Sequence, residues 1–352
     1  MKNILFIHPG QFGSQTSTYN YCLLLKDSYN IKYIGFDDGL KNMNLEGINY
    51  IHLSHSRNML TNRIMFFKTI YNELKKTKYD FILVNYFIFC SVLSFLVKKK
   101  GVIEIRSGYI YSSSIKRFIY NTILFIEVRF FKNITTISSG IVKYLRLPKR
   151  THILPLGSKL SLPIKKDFES LRVLYVGTFH ERNINKTIHA FAKFYKEYNC
   201  KININYTIIG FGSKTEINNI LNTIKILEMN DHVIYKGTIR SPLLDPYLKE
   251  HNIGMSYIPI KKHFENQPPF KTYEYLLNGL TVLATATKEN KKVVTKQNGV
   301  LVGDSICDVY EGLVQIYKNR QCYNSLIIQK KAQQYSWDSI VNKNLIPYIE
   351  KI

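Results

Sequence analysis

The chain has 352 residues, which exceeds the usual size of a single hydrophobic core, and 45% of them are hydrophobic, so we expect two domains. Its five cysteines are scattered without paired spacing, which argues against a disulfide framework or a cysteine-rich zinc site and favours reduced thiols in a cytoplasmic protein. The formal charge of +24 indicates an anionic partner nearby.

The first elements along the chain predict a buried strand rather than a targeting segment. Residues 4–8 form a short apolar run that ends at a turn, without the longer apolar region of a signal peptide. Residues 81–97 are the only serious candidate for a membrane span, but the run is slightly short and Asn85 and Tyr86 interrupt it. We therefore expect a buried strand followed by a helix there.

Apolar runs that end at turn residues recur along the whole chain. In the first half they predict strands at residues 4–8, 31–36, 48–53, 81–85, 102–106, 134–138 and 152–156. After a polar connection at residues 158–170, the second set lies at residues 172–176, 205–209, 232–236, 253–258, 281–286 and 300–302. Helix-compatible segments separate several of these runs, so the pattern predicts an α/β protein with two similar domains that face each other across a cleft. Each domain would contain a parallel sheet that binds ligands at the carboxyl ends of its strands.

Basic and aromatic residues are interleaved in the first half of the chain. The basic ones are Arg57, Arg63, Lys68, Lys75, Lys76, Lys78, Lys98, Lys99, Lys100, Lys116, Arg117, Arg129 and Lys132. The apolar ones among them are Phe66, Phe67, Phe118, Ile119, Ile123, Phe130 and Phe131. This mixture is typical of helices on an anionic bilayer, although ordinary amphipathic helices with a solvated basic face remain an alternative. Nucleic acid is a less favoured partner, because no known binding motif is present.

Residues 266–279 predict a helix start that holds a phosphorylated ligand. Pro268 and Pro269 fit the beginning of a helix, whose N–H groups and positive dipole end attract anions. Lys271 adds a full charge there, and Glu274 lies one turn along the same face. A carboxylate suits neutral hydroxyls such as those of a ribose, so together these residues outline a seat for a nucleoside diphosphate.

Several segments, in this order, resemble the family 4 glycosyltransferases, which are retaining enzymes of the two-domain GT-B fold with nucleotide-sugar donors. The matching segments are residues 9–14, 136–141, 154–157, 174–183, 235–237, 268–274 and 335–338. The resemblance implies an acceptor-binding domain over residues 1–157 and a linker over 158–170. It also implies a nucleotide-sugar-binding domain over 171–335 and a helix over 336–352 that crosses back to the first domain, anchored by Trp337.

The resemblance also implies which residues form the site. It assigns catalytic roles to Arg182, Lys271 and Glu274. Donor-binding roles fall to Gly10, Gly13, Gly177, Gly237, Thr238, Ile239, Asn266, Pro269 and Phe270.

The chain departs from the family pattern at three places. Asn266 stands where the family has the first glutamate of its Glu-x7-Glu motif. Either that glutamate is replaced, or its role has moved to the neighbouring Glu265. Gly177-Thr178 replaces the usual Gly-Arg, which makes Arg182 the candidate phosphate-binding cation. Arg106 stands where many relatives have a histidine, so we assign it to the acceptor side.

The sequence also bears on cofactors and partners. No Asp-x-Asp element follows a strand, so we expect metal-independent transfer without a cofactor. The resemblance predicts transfer from a nucleotide-sugar to a lipid-linked or oligosaccharide acceptor of a bacterial surface polysaccharide, such as capsule, O-antigen or lipopolysaccharide. The enzyme would be cytoplasmic and peripheral at the inner face of the membrane. A nucleotide-sugar epimerase of similar fold, or a non-catalytic nucleotide or nucleic-acid binder, remains an alternative.

Overall fold

The chain forms two compact units. The computed structural model describes residues 1–111, 113–239 and 243–352. Unit 1 comprises Met1–Gly157 and Trp337–Ile352, and unit 2 comprises Ser158–Ser336. The polar connection at residues 158–170 therefore lies in unit 2. There, Lys166 Nζ donates hydrogen bonds to the carbonyl oxygens of Leu248 (2.6 Å) and Lys249 (2.5 Å).

Unit 1 contains a parallel sheet whose strand order is β3-β2-β1-β4-β5-β6-β7. Its strands are β1 (Asn3–Ile7), β2 (Asn30–Asp37), β3 (Ile48–Ser54), β4 (Phe81–Asn85), β5 (Gly101–Ile105), β6 (Asn133–Thr136) and β7 (His152–Ile153). Its helices are α1 (Thr16–Leu25), α2 (Met59–Lys76), α3 (Leu93–Val97), α4 (Ser114–Glu127), α5 (Ser139–Leu145), α13 (Trp337–Ile340) and α14 (Ile346–Lys351). β1 and β4 are almost wholly apolar and buried, as expected of parallel strands covered on both faces.

Unit 2 repeats this plan with the strand order β10-β9-β8-β11-β12-β13. Its strands are β8 (Ser170–Thr178), β9 (Asn203–Phe211), β10 (Val233–Tyr235), β11 (Ile253–Ser256), β12 (Thr281–Thr285) and β13 (Gly299–Val302). Its helices are α6 (Asn185–Tyr198), α7 (Lys214–Ile226), α8 (Asp245–Glu250), α9 (Phe270–Leu277), α10 (Asn290–Val293), α11 (Ile306–Lys318) and α12 (Ser325–Ala332). Every strand predicted from the sequence overlaps one of the observed strands.

The C-terminal segment packs against unit 1. Trp337 is buried, and its ring meets Tyr21 edge to face with the ring centroids 5.8 Å apart. Gly157 lies against the same indole, because a Cβ there would come within 2.7 Å of it. Glu350, in α14, pairs with Lys2 at 2.5 Å and accepts a hydrogen bond from the Tyr29 hydroxyl at 2.9 Å. These contacts tie the end of the chain to its beginning.

The expected strand and helix over residues 81–97 are present as β4 and α3. Among the described residues, no helix combines the length and the apolar character needed to cross a membrane.

Each sheet has a point at which its strand order reverses direction. It lies between β1 and β4 in unit 1 and between β8 and β11 in unit 2. The loops at the carboxyl ends of these strands diverge and leave a crevice, which is where ligands bind in open parallel sheets. Both units therefore have a predictable location for a site.

Candidate active site

Helix α9 follows β11 at the crevice of unit 2. It begins at Phe270, and Pro269 precedes it in extended conformation with φ −78°. The two prolines predicted at the beginning of the helix therefore lie just before its first residue, with Pro269 at the N-cap. The helix dipole still directs its positive end at the crevice, and Lys271 and Glu274 share one face because they are three residues apart.

Lys271 lies on an aromatic ring of the neighbouring strand. Its Nζ is 4.0 Å from the centroid of Tyr175 in β8. Among the described residues, this ammonium donates no hydrogen bond, and a Cβ at Gly177 would come within 3.0 Å of it. Burial lowers the pKa of Lys271 well below its usual range, the nearby Arg182 lowers it further, and Glu274 partly opposes the shift.

Arg182 brings a second cation to the same place. Its guanidinium carbon is 4.1 Å from the ring centroid of Phe264, and its Nη1 is buried without a hydrogen-bond partner among the described residues. Burial lowers the pKa of Arg182, whereas Tyr175 and Glu181 oppose this shift. Because a buried unpaired cation is unfavourable, two of them within electrostatic reach of each other indicate a site for an anionic ligand.

The loop that carries Arg182 has a strained backbone. The two flanking residues, Glu181 and Asn183, have φ angles of 52° and 51°. The left-handed conformation costs roughly 1–2 kcal/mol for a residue with a side chain, less for asparagine. A carboxylate oxygen of Glu181 lies 3.4 Å from His263 Nε2, which holds the loop against the segment that leads to α9. Such strain is commonly retained where it positions a functional side chain.

Glu274 is the acidic member of the group. Burial raises its pKa to about 7, Asp245 raises it further, and Lys271 lowers it. Its carboxylate accepts no hydrogen bond from the described residues, and the group is partly exposed. The structure thus brings the three predicted catalytic residues into one electrostatically coupled cluster, and none of the three points away as a simple surface charge.

A cavity of about 320 Å³ adjoins this cluster through Gly177. It is lined by Val176, Gly177, Ile209, Gly210, Phe211, Thr238 and Ile239. Three of the predicted donor-binding residues, Gly177, Thr238 and Ile239, therefore share one wall. Gly210 must lack a side chain, because a Cβ there would lie 1.9 Å from the Gly177 carbonyl oxygen. Gly237 adopts φ 72° with open space around it.

The remaining predicted donor residues of unit 2 lie just before α9. Asn266 Nδ2 donates to the carbonyl oxygen of Lys262 at 3.4 Å. The adjacent Glu265 pairs with Lys288 at 3.5 Å. Pro269 and Phe270 form the start of the helix. The geometry leaves both Asn266 and Glu265 as candidates for the position of the family's first glutamate.

Gly10, Gly13 and Arg106 belong to unit 1. Gly10 and Gly13 lie in the loop between β1 and α1, where Gly13 has φ 88°. Gln11 organises this loop, since its Oε1 accepts the backbone N–H groups of Asp38 (3.1 Å) and Leu40 (2.8 Å). Arg106 follows β5 and lines a separate cavity of unit 1.

Two residues of the unit 2 site were not identified from the sequence. Tyr175 supports Lys271 and Phe264 supports Arg182, each by its ring face. Phe264 precedes the helix start without any distinguishing pattern. Tyr175, an aromatic residue in the apolar run 173–176 directly before Gly177, could have drawn attention. No group of three potential metal-ligating side chains occurs within residues 1–111, 113–239 and 243–352.

Comparisons with known proteins bear on the family and the fold of this chain. Residues 170–319, all within unit 2, match the family described as glycosyl transferases group 1. No curated protein matches the sequence significantly.

The whole chain resembles several solved structures. Sucrose-phosphate synthase from Thermosynechococcus elongatus is 15% identical, with 100% of this chain and 98% of that chain covered and a TM-score of 0.78. HepE from Anabaena, solved with UDP and glucose, is 13% identical over 100% of both chains, with a TM-score of 0.78. The lipopolysaccharide outer core galactosyltransferase WaaB is 16% identical over 98% and 99%, with a TM-score of 0.72. At such identities the likeness establishes the fold.

The chain thus has the GT-B fold, and the α/β class predicted from the sequence is confirmed. The match of residues 170–319 to glycosyl transferases group 1 confirms the resemblance to glycosyltransferases that the sequence analysis describes. It also supports glycosyltransferase activity.

Proposed function

We propose that the protein is a retaining glycosyltransferase that moves a sugar from a nucleoside-diphosphate donor to a lipid-linked glycan of a bacterial surface polysaccharide. The observation that carries the proposal is the pair of partly buried cations, Lys271 and Arg182, which face no carboxylate at hydrogen-bonding distance among the described residues. A departing diphosphate supplies the negative charge that this pair lacks.

The chemistry follows from the charge that develops during transfer. The bond between the anomeric carbon and the diphosphate oxygen breaks, and a bond to the acceptor hydroxyl oxygen forms on the same face of the sugar. The acceptor proton passes to the leaving phosphate oxygen. Lys271, Arg182 and the first turn of α9 stabilise the charge on the leaving group, and Glu274 accepts hydrogen bonds from ribose hydroxyls. Because two fixed cations already neutralise the diphosphate, we propose that transfer requires no metal.

The donor and the stereochemistry can be tested together. A thermal-shift screen with UDP-, GDP-, ADP- and CMP-linked sugars identifies the donor, since a bound ligand stabilises the folded state. The HepE complex makes UDP-glucose the first probe. Transfer to decyl glycosides of glucose, galactose and N-acetylglucosamine, followed by NMR of the product, should show the anomeric configuration of the donor. An inverted product would contradict a retaining mechanism, and sugar interconversion without acceptor would indicate an epimerase.

The lipid-linked part of the proposal is supported by one surface of unit 1, which we term the apolar-basic surface. Its exposed apolar residues are Phe89, Val92, Phe95, Ile115, Phe118, Ile119, Ile126 and Phe130. Phe118 is 73% and Phe95 71% exposed, and a group of such exposed apolar side chains is typical of an interaction surface. Arg63 lies 4.9 Å from the Phe89 ring, so cations stand among these side chains.

Contacts connect the region of α3 with the end of α4, the two helices that carry most of this surface. The Phe95 and Phe130 ring centroids are 6.4 Å apart. Glu127 accepts hydrogen bonds from the Tyr86 hydroxyl (2.9 Å) and from Ser91 (3.1 Å), which fixes the end of α4 beside the segment before α3. An anionic bilayer complements both the apolar side chains and the net charge of +24. We therefore propose a peripheral enzyme at the inner, cytoplasmic face of the cell membrane.

Co-sedimentation with vesicles tests this surface. The protein should bind vesicles that contain phosphatidylglycerol more strongly than vesicles of phosphatidylcholine alone, and added salt should weaken the binding. The double substitution Phe95→Ser and Phe118→Ser should greatly reduce binding. Ile226→Ser in unit 2 is the matched control, because Ile226 is 78% exposed but lies outside the surface. An equal loss of vesicle binding in the double variant and in Ile226→Ser would contradict the assignment of membrane binding to the apolar-basic surface.

A further inference from the structure

The strained loop around Arg182 is anchored by a buried histidine from another part of unit 2. Glu181, which precedes Arg182, has φ 52°, and its carboxylate oxygen lies 3.4 Å from His263 Nε2. His263 is only 9% exposed and belongs to the segment between β11 and α9. Because a residue with a side chain stays in the left-handed region only where its surroundings hold it, this contact bears on the backbone that carries Arg182.

His263 also contacts the second support of Arg182. The ring centroids of His263 and Phe264 are 4.2 Å apart, and their planes are inclined by 55°. The ring of Phe264 lies in turn 4.1 Å from the guanidinium carbon of Arg182. One side chain therefore reaches both the residue that sets the backbone of Arg182 and the ring on which its guanidinium rests.

The other ionic contacts of this loop are more exposed to water. Lys261 Nζ lies 3.8 Å from the same oxygen of Glu181, but the lysine side chain is 46% exposed. His180 Nδ1 lies 3.7 Å from a carboxylate oxygen of Glu216, and the His180 side chain is 64% exposed. Water and salt screen exposed pairs, whereas a contact in buried surroundings is screened much less. Of these three contacts, the one with His263 is therefore best suited to fix Glu181.

We propose that His263 is a positioning residue, which holds Glu181 in its left-handed conformation and thereby keeps the Arg182 guanidinium in place for the diphosphate of the donor. The inference rests on the proposed function, because it takes Arg182 as a diphosphate ligand. His263 does not line the cavity beside Gly177, so we assign it no contact with the donor. A cation that is already held in place loses little conformational freedom when the ligand binds, so donor affinity should depend on His263.

Isothermal titration calorimetry with UDP on the full-length protein tests this role, with GDP or ADP in its place if either stabilises the protein more. His263→Phe keeps a ring against Phe264 but removes the polar contact with Glu181, so it should weaken UDP binding roughly tenfold. His263→Gln keeps an N–H group near the position of Nε2 and should bind UDP nearly as well as the wild type. Wild-type affinity in His263→Phe, or an equal loss in both variants, would overturn the proposal.

A double-mutant cycle separates positioning from a direct or general effect. In an Arg182→Ala background, His263→Phe should weaken UDP binding no further, because the side chain through which it acts is absent. In a Lys271→Ala background it should still weaken binding. The same loss on top of Arg182→Ala would mean that His263 contacts the donor or serves the fold alone, and would contradict the proposal.

Two further residues provide matched controls. Lys261→Met removes the exposed partner of the same carboxylate and should leave UDP affinity almost unchanged. His251, which precedes β11, is 3% exposed, and its ring nitrogens lie 2.8 Å from the Tyr247 carbonyl oxygen and 2.8 Å from the Thr207 hydroxyl. His251→Gln should therefore lower Tm without weakening UDP binding. Loss of UDP affinity in His251→Gln as large as in His263→Phe would count against a specific role of His263.

The remaining outcomes are also decisive. Should His263→Phe fail to fold, Glu181→Met removes the same contact from the side of the loop, and unchanged UDP affinity in that variant would contradict the inference. No binding of UDP, GDP or ADP by the wild type would contradict the proposed function and this inference with it. Tight binding that does not depend on His263 would contradict this inference alone.

Discussion

The two units place very different groups at the same point of the same sheet plan. At the crevice of unit 1, Glu104 and Arg106 have opposite charges and lie among neutral amides and a neutral histidine. At the crevice of unit 2, Lys271 and Arg182 have the same charge and rest on aromatic rings. The fold therefore determines where a ligand binds, and the side chains determine its charge.

The difference also has an energetic side. In unit 2 the like charges repel each other, and the Arg182 loop keeps two residues in the left-handed region. The free state of this site is unfavourable, and a diphosphate removes much of that cost. In unit 1 the charges of Glu104 and Arg106 offset each other. We therefore expect unit 2 to respond strongly to pH and to anions, and unit 1 to respond weakly.

The largest expected effect comes from removing a cation of the pair. Lys271→Ala and Arg182→Ala should each lower kcat by roughly 10²–10³, the usual result of losing one preorganised group that stabilises developing charge. Initial rates of transfer from the donor that the thermal-shift screen identifies measure this. Lys225→Ala, an exposed cation in α7, is the control and should retain full activity. Near-normal rates in both site variants would show that the two cations of unit 2 do not stabilise the leaving diphosphate.

The next effect concerns stability. The pKa of Glu274 is raised to about 7, above the 4.5 of an unperturbed carboxyl. As pH rises through this window, the unfolded chain loses the proton first, so the carboxylate destabilises the fold above it. Glu274→Gln should raise the free energy of unfolding by on the order of 1–3 kcal/mol at pH 8, discounted for partial exposure, while transfer is impaired.

Thermal unfolding at pH 4.5 and pH 8 tests this expectation. The gain in Tm should appear at pH 8 and vanish at pH 4.5. The exposed Glu46→Gln in unit 1 should show no pH-dependent gain. An equal gain at both pH values would mean that Glu274 is not held as a strained carboxylate.

Local patterns explain which parts of this contrast could be predicted from the sequence. The strands follow from apolar runs ending at turns, and the shared face of Lys271 and Glu274 follows from helical spacing. The support of Lys271 by Tyr175 could not be predicted, because these residues lie on different elements far apart in sequence. The role of Glu104 could not be predicted either, because it lies inside the apolar run at residues 102–106 and its neighbours Asn85 and Tyr21 come from other elements.

Donor binding should also take up protons. The pKa of Lys271 is lowered well below its usual range by burial and by Arg182, which favours the neutral amine in the free protein. A bound diphosphate favours the charged form and raises this pKa, so UDP binding takes up a fraction of a proton, increasing with pH. Isothermal titration calorimetry in buffers of different ionisation enthalpy measures the uptake. It should disappear in Lys271→Met, and its persistence there would assign the proton to another group.

The smallest expected effect compares two glycines, one in each unit. Gly237 has φ 72° and Gly39 has φ 68°, and a Cβ at either would meet no atom within 4 Å. Alanine at either position should therefore lower the free energy of unfolding by about 1–2 kcal/mol, because of the left-handed backbone alone. If the nucleotide lies in the open space beside Gly237, Gly237→Ala should in addition weaken UDP binding several-fold, whereas Gly39→Ala should leave it unchanged. Equal UDP affinity in the two variants would show that Gly237 only shapes a turn and that the donor lies elsewhere along the edge of this sheet.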